Sequence, residues 1–126
     1  MVCDTAGRVL LVRHGYRPGW HFPGGGVERG EALSQSIARE LEEEAGIVFD
    51  TQPRLFAIYS HFDAFPGDHI VLYVAERWRR VRIPQPNREI AEHGFFHAYA
   101  LPEGTTAPTR RRLAEIFSGE TRSQSW

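Results

Sequence analysis

Gly25-Gly26-Val27-Glu28-Arg29-Gly30-Glu31-Ala32-Leu33-Ser34-Gln35-Ser36-Ile37-Ala38-Arg39-Glu40-Leu41-Glu42-Glu43-Glu44-Ala45-Gly46-Ile47 is the stretch that decides the fold. Ala32 to Ala45 contains no Gly or Pro and is rich in Ala, Leu, Glu, Gln and Arg, all good helix formers. Gly30 precedes the run, and Gly46 stands where a left-handed cap would stop it. The pattern predicts a helix over Ala32–Ala45. Leu33, Ile37 and Leu41 recur every four residues and form one apolar stripe. At 3.6 residues per turn, Glu40, Glu43 and Glu44 share a face that borders this stripe. The acids then lie at the edge of the core, near the helix C-terminus.

Such a face is unfavourable by itself. Like charges three and four residues apart repel by roughly 0.2–0.5 kcal/mol per pair on an exposed helix. The macrodipole also disfavours anions at that end. Arg39 can offset part of the repulsion by pairing with Glu43, four residues on. A divalent cation offsets far more, and Mg2+ takes oxygen ligands while keeping waters and substrate phosphates in its shell. A run of glutamates is more often a solvated helix face. Here the run comes in fixed register with Gly25, Glu31, Arg39-Glu40 and Gly46-Ile47.

That register fits the pattern G-x5-E-x7-R-E-U-x-E-E-x-G-U, with U a bulky apolar residue. Gly25, Glu31, Arg39, Glu40, Leu41, Glu43, Glu44, Gly46 and Ile47 fill its fixed places. The pattern is the Nudix box, and the chain resembles the Nudix hydrolases. The resemblance implies an α+β fold, an α/β/α sandwich around a mixed sheet. It implies cleavage of a nucleoside diphosphate linked to another group, with Mg2+ as cofactor and Mn2+ as a substitute. Position by position, it implies Glu40, Glu43 and Glu44 as metal ligands, with Glu31 and Arg39 as the supporting pair and Glu31 close to the metal. Arg39, Glu40 and Glu43 thereby count as catalytic.

Further site residues follow from the same resemblance. The segment from Asn87 to Phe96 is similar to one that ends in an aromatic pair before a strand. In some members a glutamate six residues before the first aromatic reaches the metal site. Glu89 has that spacing to Phe95, and Glu92 competes with it. Glu40 is an alternative base. Arg13 and His14 end a strand that, by resemblance, points at the phosphates, so Arg13 is a candidate for substrate binding. Gly24, Gly25 and Gly26 allow close backbone approach to a ligand. Family members usually carry a longer first strand than Met1–Cys3, so that strand is expected to be short.

The 126 residues suit one domain, 1–126, with a single core. All fifteen cationic residues are Arg. That excludes a Schiff-base lysine and a P-loop lysine, and any phosphate clamp must be a guanidinium. A nucleic-acid footprint needs a basic patch, and the chain carries a net charge of −1. The expected partner is a nucleotide-type small molecule, without membrane or nucleic acid; a homodimer is compatible. One cysteine, no visible signal peptide and no apolar run longer than Ile70–Ala75 point to the cytoplasm.

Beyond the motif, Arg8–His14 reads as a buried strand. Leu55–Phe62 and Ile70–Trp78 read as an antiparallel pair with a long connection, and Gly94–Tyr99 as another strand. Pro84–Asn87 reads as a loop. Thr109 is expected to cap a helix from Arg110 to Phe117, and Gln124–Trp126 to form a loose tail. Trp20, Phe22, Phe62, Phe65 and Trp78 are candidates to stack a base, though aromatics are more often core. His93 and His97 have a zinc-like spacing without further ligands. The arginines Arg77, Arg79, Arg80 and Arg82 are expected to face solvent. Substrate marks are mixed. A nucleoside triphosphate or modified nucleotide is favoured over ADP-ribose, a nucleotide sugar or a dinucleoside polyphosphate. A non-catalytic nucleotide sensor of the same fold is the rival reading.

Overall fold

Strand β1 (Val9–His14) is the spine of the molecule. A strand sends successive side chains to opposite faces, and β1 feeds two cores in this way. Val9 and Leu11 pack with Phe22, Tyr59, Leu72, Val74 and Leu113. Leu10 packs with Val2, Leu41, Ala45, Ile47 and Ala75. Leu41 and Ala45 come from helix α1 (Leu33–Ala45), and Leu113 from helix α2 (Ala107–Phe117). Each face of β1 therefore meets its own helix, which is the expected α+β sandwich. The computed structural model describes residues 1–86 and 89–126. Asn87 and Arg88, assigned from sequence to a loop and to the segment before Phe95, lie outside the described residues.

β1 pairs antiparallel with β2 (Trp20–His21) on one side and with β7 (Ile90–Phe96) on the other. β3 (Ile47–Phe49) pairs with β6 (Trp78–Arg80), and β4 (Arg54–Ser60) with β5 (His69–Val74), again antiparallel. The short first strand, Met1–Cys3, links these pieces. Val2 bridges Ala75 in parallel, while Cys3 bridges Val9 antiparallel. Leu10 N–H donates to the Val2 carbonyl at 3.0 Å, and Cys3 N–H to that of Ala75 at 3.0 Å. Among the described residues no helix is long and apolar enough to cross a membrane.

Several boundaries move from their sequence expectation. The run Ile70–Trp78 breaks at the exposed pair Glu76-Arg77. Beyond the break, Trp78–Arg80 turns to pair with β3, a strand too short to stand out in the sequence. Gly94–Tyr99 starts too late: β7 runs from Ile90, and Tyr99 is exposed in a turn. Helix α2 begins at Ala107, behind Thr106 in the extended conformation of an N-cap. Thr109 is instead buried within the first turn, 2.9 Å from the Thr106 hydroxyl. Pro108 does not stop the helix, because the first turn has no use for that N–H.

The tail is not loose. Trp126 N–H donates to the Ser60 carbonyl, and Ser60 N–H to the Gln124 carbonyl, both at 2.9 Å. The docked tail covers Arg112, which is 0% exposed. Its guanidinium lies 4.2 Å from the Tyr59 ring centre and 5.6 Å from that of Trp126. Glu115 stands 2.8 Å from it, takes the Tyr59 hydroxyl at 2.7 Å and the Ser123 N–H at 2.9 Å. Desolvation, then the Glu115 hydrogen bond, pushes the Tyr59 phenol up.

Removing one member of a buried ion pair strands the other, which costs about 3–5 kcal/mol. Arg112→Ala is expected to lose that much in urea unfolding. Its exposed neighbour variant Arg111→Ala should stay within about 0.5 kcal/mol of the parent. Equal, small losses in both would contradict the buried network.

Candidate active site

The Gly24–Gly26 loop lies against α1, held by Ser36, Arg39 and Glu44. Gly24, at φ 142°, donates its N–H to Glu44 Oε2 at 2.8 Å. A Cβ on Gly25 would lie 2.5–2.8 Å from the Glu40 carboxylate, so any side chain there would push Glu40 out of its present position. The Gly26 carbonyl accepts from Ser36 Oγ at 3.2 Å and from Arg39 Nη2 at 3.1 Å. Backbone and carboxylates are thus brought together by the absence of side chains.

Arg39 is the hub. Its Nε and Nη2 donate to the two oxygens of Glu31 at 2.9 and 3.0 Å, a bidentate fork. Its Nη1 reaches Glu40 at 2.8 Å and Glu43 at 3.4 Å. The Arg39 contact, then the Glu28 N–H, pulls the Glu31 carboxyl down to about 2. The guanidinium is pushed up in turn, first by Glu31 and then by Glu40. At the helix end, Gly46 takes the left-handed cap at φ 64°, as expected. Arg82 is exposed, as expected, and its guanidinium also reaches the Glu42 and Glu43 carbonyls at 2.8 and 3.1 Å, countering the dipole at the end where the acids gather.

Glu44 differs from its neighbours in being buried, at 4% exposed. Burial pushes its carboxyl up to about 7, the Gly24 N–H opposes this, and the charges of Glu40 and Glu89 push further. Glu89, from the turn before β7, therefore stands close enough to be felt at Glu44. Its carbonyl accepts from Gly15 N–H at 3.0 Å, tying that turn to the end of β1. His14, buried at the end of β1, has Nε2 4.0 Å from Glu44 Oε1 and 3.0 Å from Arg17 Nη2. Arginine can only donate, so Nε2 accepts and His14 is the neutral Nδ1–H tautomer. Desolvation, then Arg17, pushes its pKa down, in agreement.

The residues singled out from sequence divide accordingly. Glu31, Arg39, Glu40 and Glu43 meet around one guanidinium, with Gly24–Gly26 and Glu44 beside them and Glu89 within electrostatic reach. Arg13 is not among them. It is exposed, faces Glu92 across the β1–β7 ladder and is ion-paired with it. Glu92 is thereby accounted for as a strand partner. His93, within β7, and His97, beyond its end, join no metal cluster among the described residues. Of the aromatic candidates, Trp20 and Phe22 belong to the core. Trp78 stacks on Phe95 at 5.4 Å and donates its indole N–H to the Cys3 carbonyl. Phe62 and Phe65 remain exposed, at 51% and 64%.

A cleft of about 770 Å³ opens from this corner. Gly24–Gly26, Glu40 and Arg17 line one end, and His61, Phe65 and His69 also line it. The connection between β4 and β5 carries Phe65 and is internally braced. His61 Nδ1 lies 3.0 Å from Asp68 Oδ2, and His61 N–H donates to the Asp68 carbonyl at 2.9 Å. Arg17, His61 and His69 were not picked out in the sequence. Arg17 sits in Gly15-Tyr16-Arg17-Pro18-Gly19, whose only local signal is a turn.

The donor set fits a hard divalent cation by chemistry: carboxylate oxygens only, one of them buried and pressed by two like charges. In this arrangement Glu40 and Glu43 are turned to Arg39. No three carboxylate, imidazole or thiol groups converge on one cation position among the described residues.

The raised pKa of Glu44 has a stability consequence. A carboxylate whose folded pKa lies above its unfolded value costs stability once ionised; the cost is present above about 7 and gone below the ordinary value of 4.5. His14 and His21, both pushed down, act in the opposite sense below their ordinary 6.5. A comparison with Glu44→Gln isolates the carboxylate. In chelator, Glu44→Gln is expected to melt higher than the parent at pH 8, with the gap closing by pH 5. A gap independent of pH would rule out a buried, titrating Glu44.

The NUDIX domain family model matches residues 1–116. RNA pyrophosphohydrolase of Haemophilus influenzae (strain PittEE) is 31% identical over 85 residues, covering 68% of this chain and 35% of that protein. The chain thus spans about a third of the length of such curated relatives. The crystal structure of a MutT NUDIX hydrolase from Burkholderia pseudomallei superposes with a TM-score of 0.73 at 30% identity, covering 91% of this chain and 95% of the other. A UDP-X diphosphatase structure gives a TM-score of 0.65 at 25% identity, covering 98% and 62%. A complete box, the glycine loop folded onto it and these matches lead to one conclusion: the chain belongs to the NUDIX domain family.

Proposed function

We propose that the protein hydrolyses a phosphoanhydride bond in a nucleotide, with Mg2+ as cofactor and Mn2+ as a substitute, in the cytoplasm. The observation that carries this is Glu44. A buried carboxylate pressed by Glu40 and Glu89 destabilises the protein unless a cation answers it. Such a corner is retained at a cost, which is the mark of a functional site rather than a solvated helix face. Glu40, Glu43 and Glu44 would hold the cation, with Glu31 beside them. The cation supplies charge neutralisation and orientation of the diphosphate and acidifies water.

The chain's own residues do the rest. The Gly24–Gly26 backbone lets the diphosphate approach without a side chain in the way. Arg39 fixes the carboxylates that flank it. Glu89 receives the proton of the attacking water. The new P–O bond forms as the bridging P–O bond breaks, and two phosphate-bearing products leave. At the cleft, the exposed Phe65 ring and the imidazoles of His61 and His69 suit an aromatic base. This suits the favoured nucleoside triphosphate or modified nucleotide; ADP-ribose, nucleotide sugars and dinucleoside polyphosphates carry a base too, and turnover separates them. Two of the relatives, an RNA pyrophosphohydrolase and a UDP-X diphosphatase, are named for a diphosphate linkage and differ in what it is attached to.

A screen of nucleotides, nucleotide sugars and dinucleotides with Mg2+, Mn2+ and chelator tests the reading. Metal-dependent release of phosphate or pyrophosphate products is expected. Binding without turnover anywhere in the panel would replace it with a nucleotide sensor.

On the substrate so found, Glu89→Gln is expected to lower kcat about a hundredfold with little change in KM. Glu92→Gln, which loses only an exposed pairing with Arg13, should be nearly silent. The reverse pattern would move the base to Glu92; two silent variants would move it to Glu40.

A further inference from the structure

Arg17 is the only arginine among the described residues lining the cleft. It stands between the two things a diphosphate site must reconcile. On one side it is tied to the acidic corner: the His14 Nε2 that takes its Nη2 at 3.0 Å lies 4.0 Å from Glu44 Oε1. On the other its side chain is exposed to the space beside Gly24–Gly26. Among the described residues its guanidinium makes one hydrogen bond, from Nη2 to His14 Nε2 at 3.0 Å. A guanidinium carries five N–H donors in a fork that matches two oxygens of a phosphate. Most of that fork is uncommitted among the described residues.

Arg13, the arginine that strand position would nominate, is held by Glu92 outside the cleft. No lysine exists in the chain to take its place. The geometry points to Arg17 as the arginine that binds the substrate's phosphates, with His14 as its positioning residue. The neutral imidazole holds Nη2 in place without adding a charge that would repel the guanidinium. The turn Gly15–Gly19 sets the arm's reach, and Gly19 allows no substitution: at φ 93° its Cβ would meet the Gly104 carbonyl at 2.8 Å. The turn is therefore pinned against the loop before α2 rather than free.

This inference rests on the cleft being a diphosphate site and names its anion-binding side chain. The probe is methylenediphosphonate, a diphosphate that cannot be hydrolysed, titrated calorimetrically in Mg2+ into the parent and into Arg17→Ala, Arg17→Lys and Arg13→Ala. Parent binding is expected, weakened about tenfold or more in Arg17→Ala. Arg17→Lys should fall between, because it keeps the charge and loses the fork. Undiminished binding by Arg17→Ala overturns the assignment and leaves the diphosphate site intact. Loss in Arg13→Ala with none in Arg17→Ala overturns it in favour of Arg13. A parent that binds no methylenediphosphonate overturns both the assignment and the diphosphate reading beneath it. The thermal midpoint of Arg17→Ala without ligand should match the parent, separating lost binding from lost fold.

Discussion

Four carboxylates share one guanidinium. Glu28, Glu31, Glu40 and Glu43 all lie within 4.0 Å of Arg39. Without it, the second half of α1 would carry a cluster of like charges at the end its dipole disfavours. The same side chain reaches the Gly26 carbonyl, so it fastens the glycine loop to the helix as well. Loop position, carboxylate orientation and helix stability thus depend on a single residue. A lysine could not substitute, because the fork on Glu31 and the separate reach to Glu40 need a planar group with several fixed donors.

Glu44 is the one acid of the set outside Arg39's reach among the contacts of that hub. Its partners are a backbone N–H from Gly24 and an electrostatic neighbourhood of mixed sign. This division is physically sensible. Arg39 neutralises the acids that must be kept in order, while the buried acid is left under-compensated. An acid so placed has the most to gain from a cation. The strain is local and tolerable, because the surrounding core is well filled: Leu41, Ala45 and Ile47 are all at or below 1% exposed.

Local features were legible in the sequence. The helix Ala32–Ala45, its glycine cap and the clustering of Glu31, Arg39, Glu40 and Glu43 are set by spacing within one segment. The fold class followed from the same motif. What did not show are contacts between distant segments. Arg13 and Glu92 are 79 residues apart, and only the β1–β7 register brings them opposite each other. Arg82 caps α1 from across 40 residues. Arg112 looks like the last of three surface arginines until the tail folds over it. The β3–β6 pair was hidden because three-residue strands carry too little periodicity to register. Arg17 was overlooked for a related reason: a turn signal says where the chain bends, not where the side chain at its crest ends up.

Charge arithmetic in the cleft carries a final consequence for the proposed reading. Among the described residues, Arg17 and Arg39 stand with Glu31, Glu40, Glu43, Glu44 and Glu89, so the bare corner carries more negative than positive charge and repels a diphosphate. A divalent cation offsets that negative charge and gives the anion a positive partner, and the anion in turn supplies oxygen donors on the cation's open side. Each ligand therefore improves the site for the other, and by linkage the gain in affinity must be the same in both directions. The buried position of Glu44 strengthens this coupling, since interactions of charges withdrawn from water are less screened. On the proposed reading, selectivity for the phosphoanhydride would rest on the acidic corner and Arg17. Selectivity for what the anhydride is attached to is left to the separately braced loop carrying Phe65. The two can vary independently.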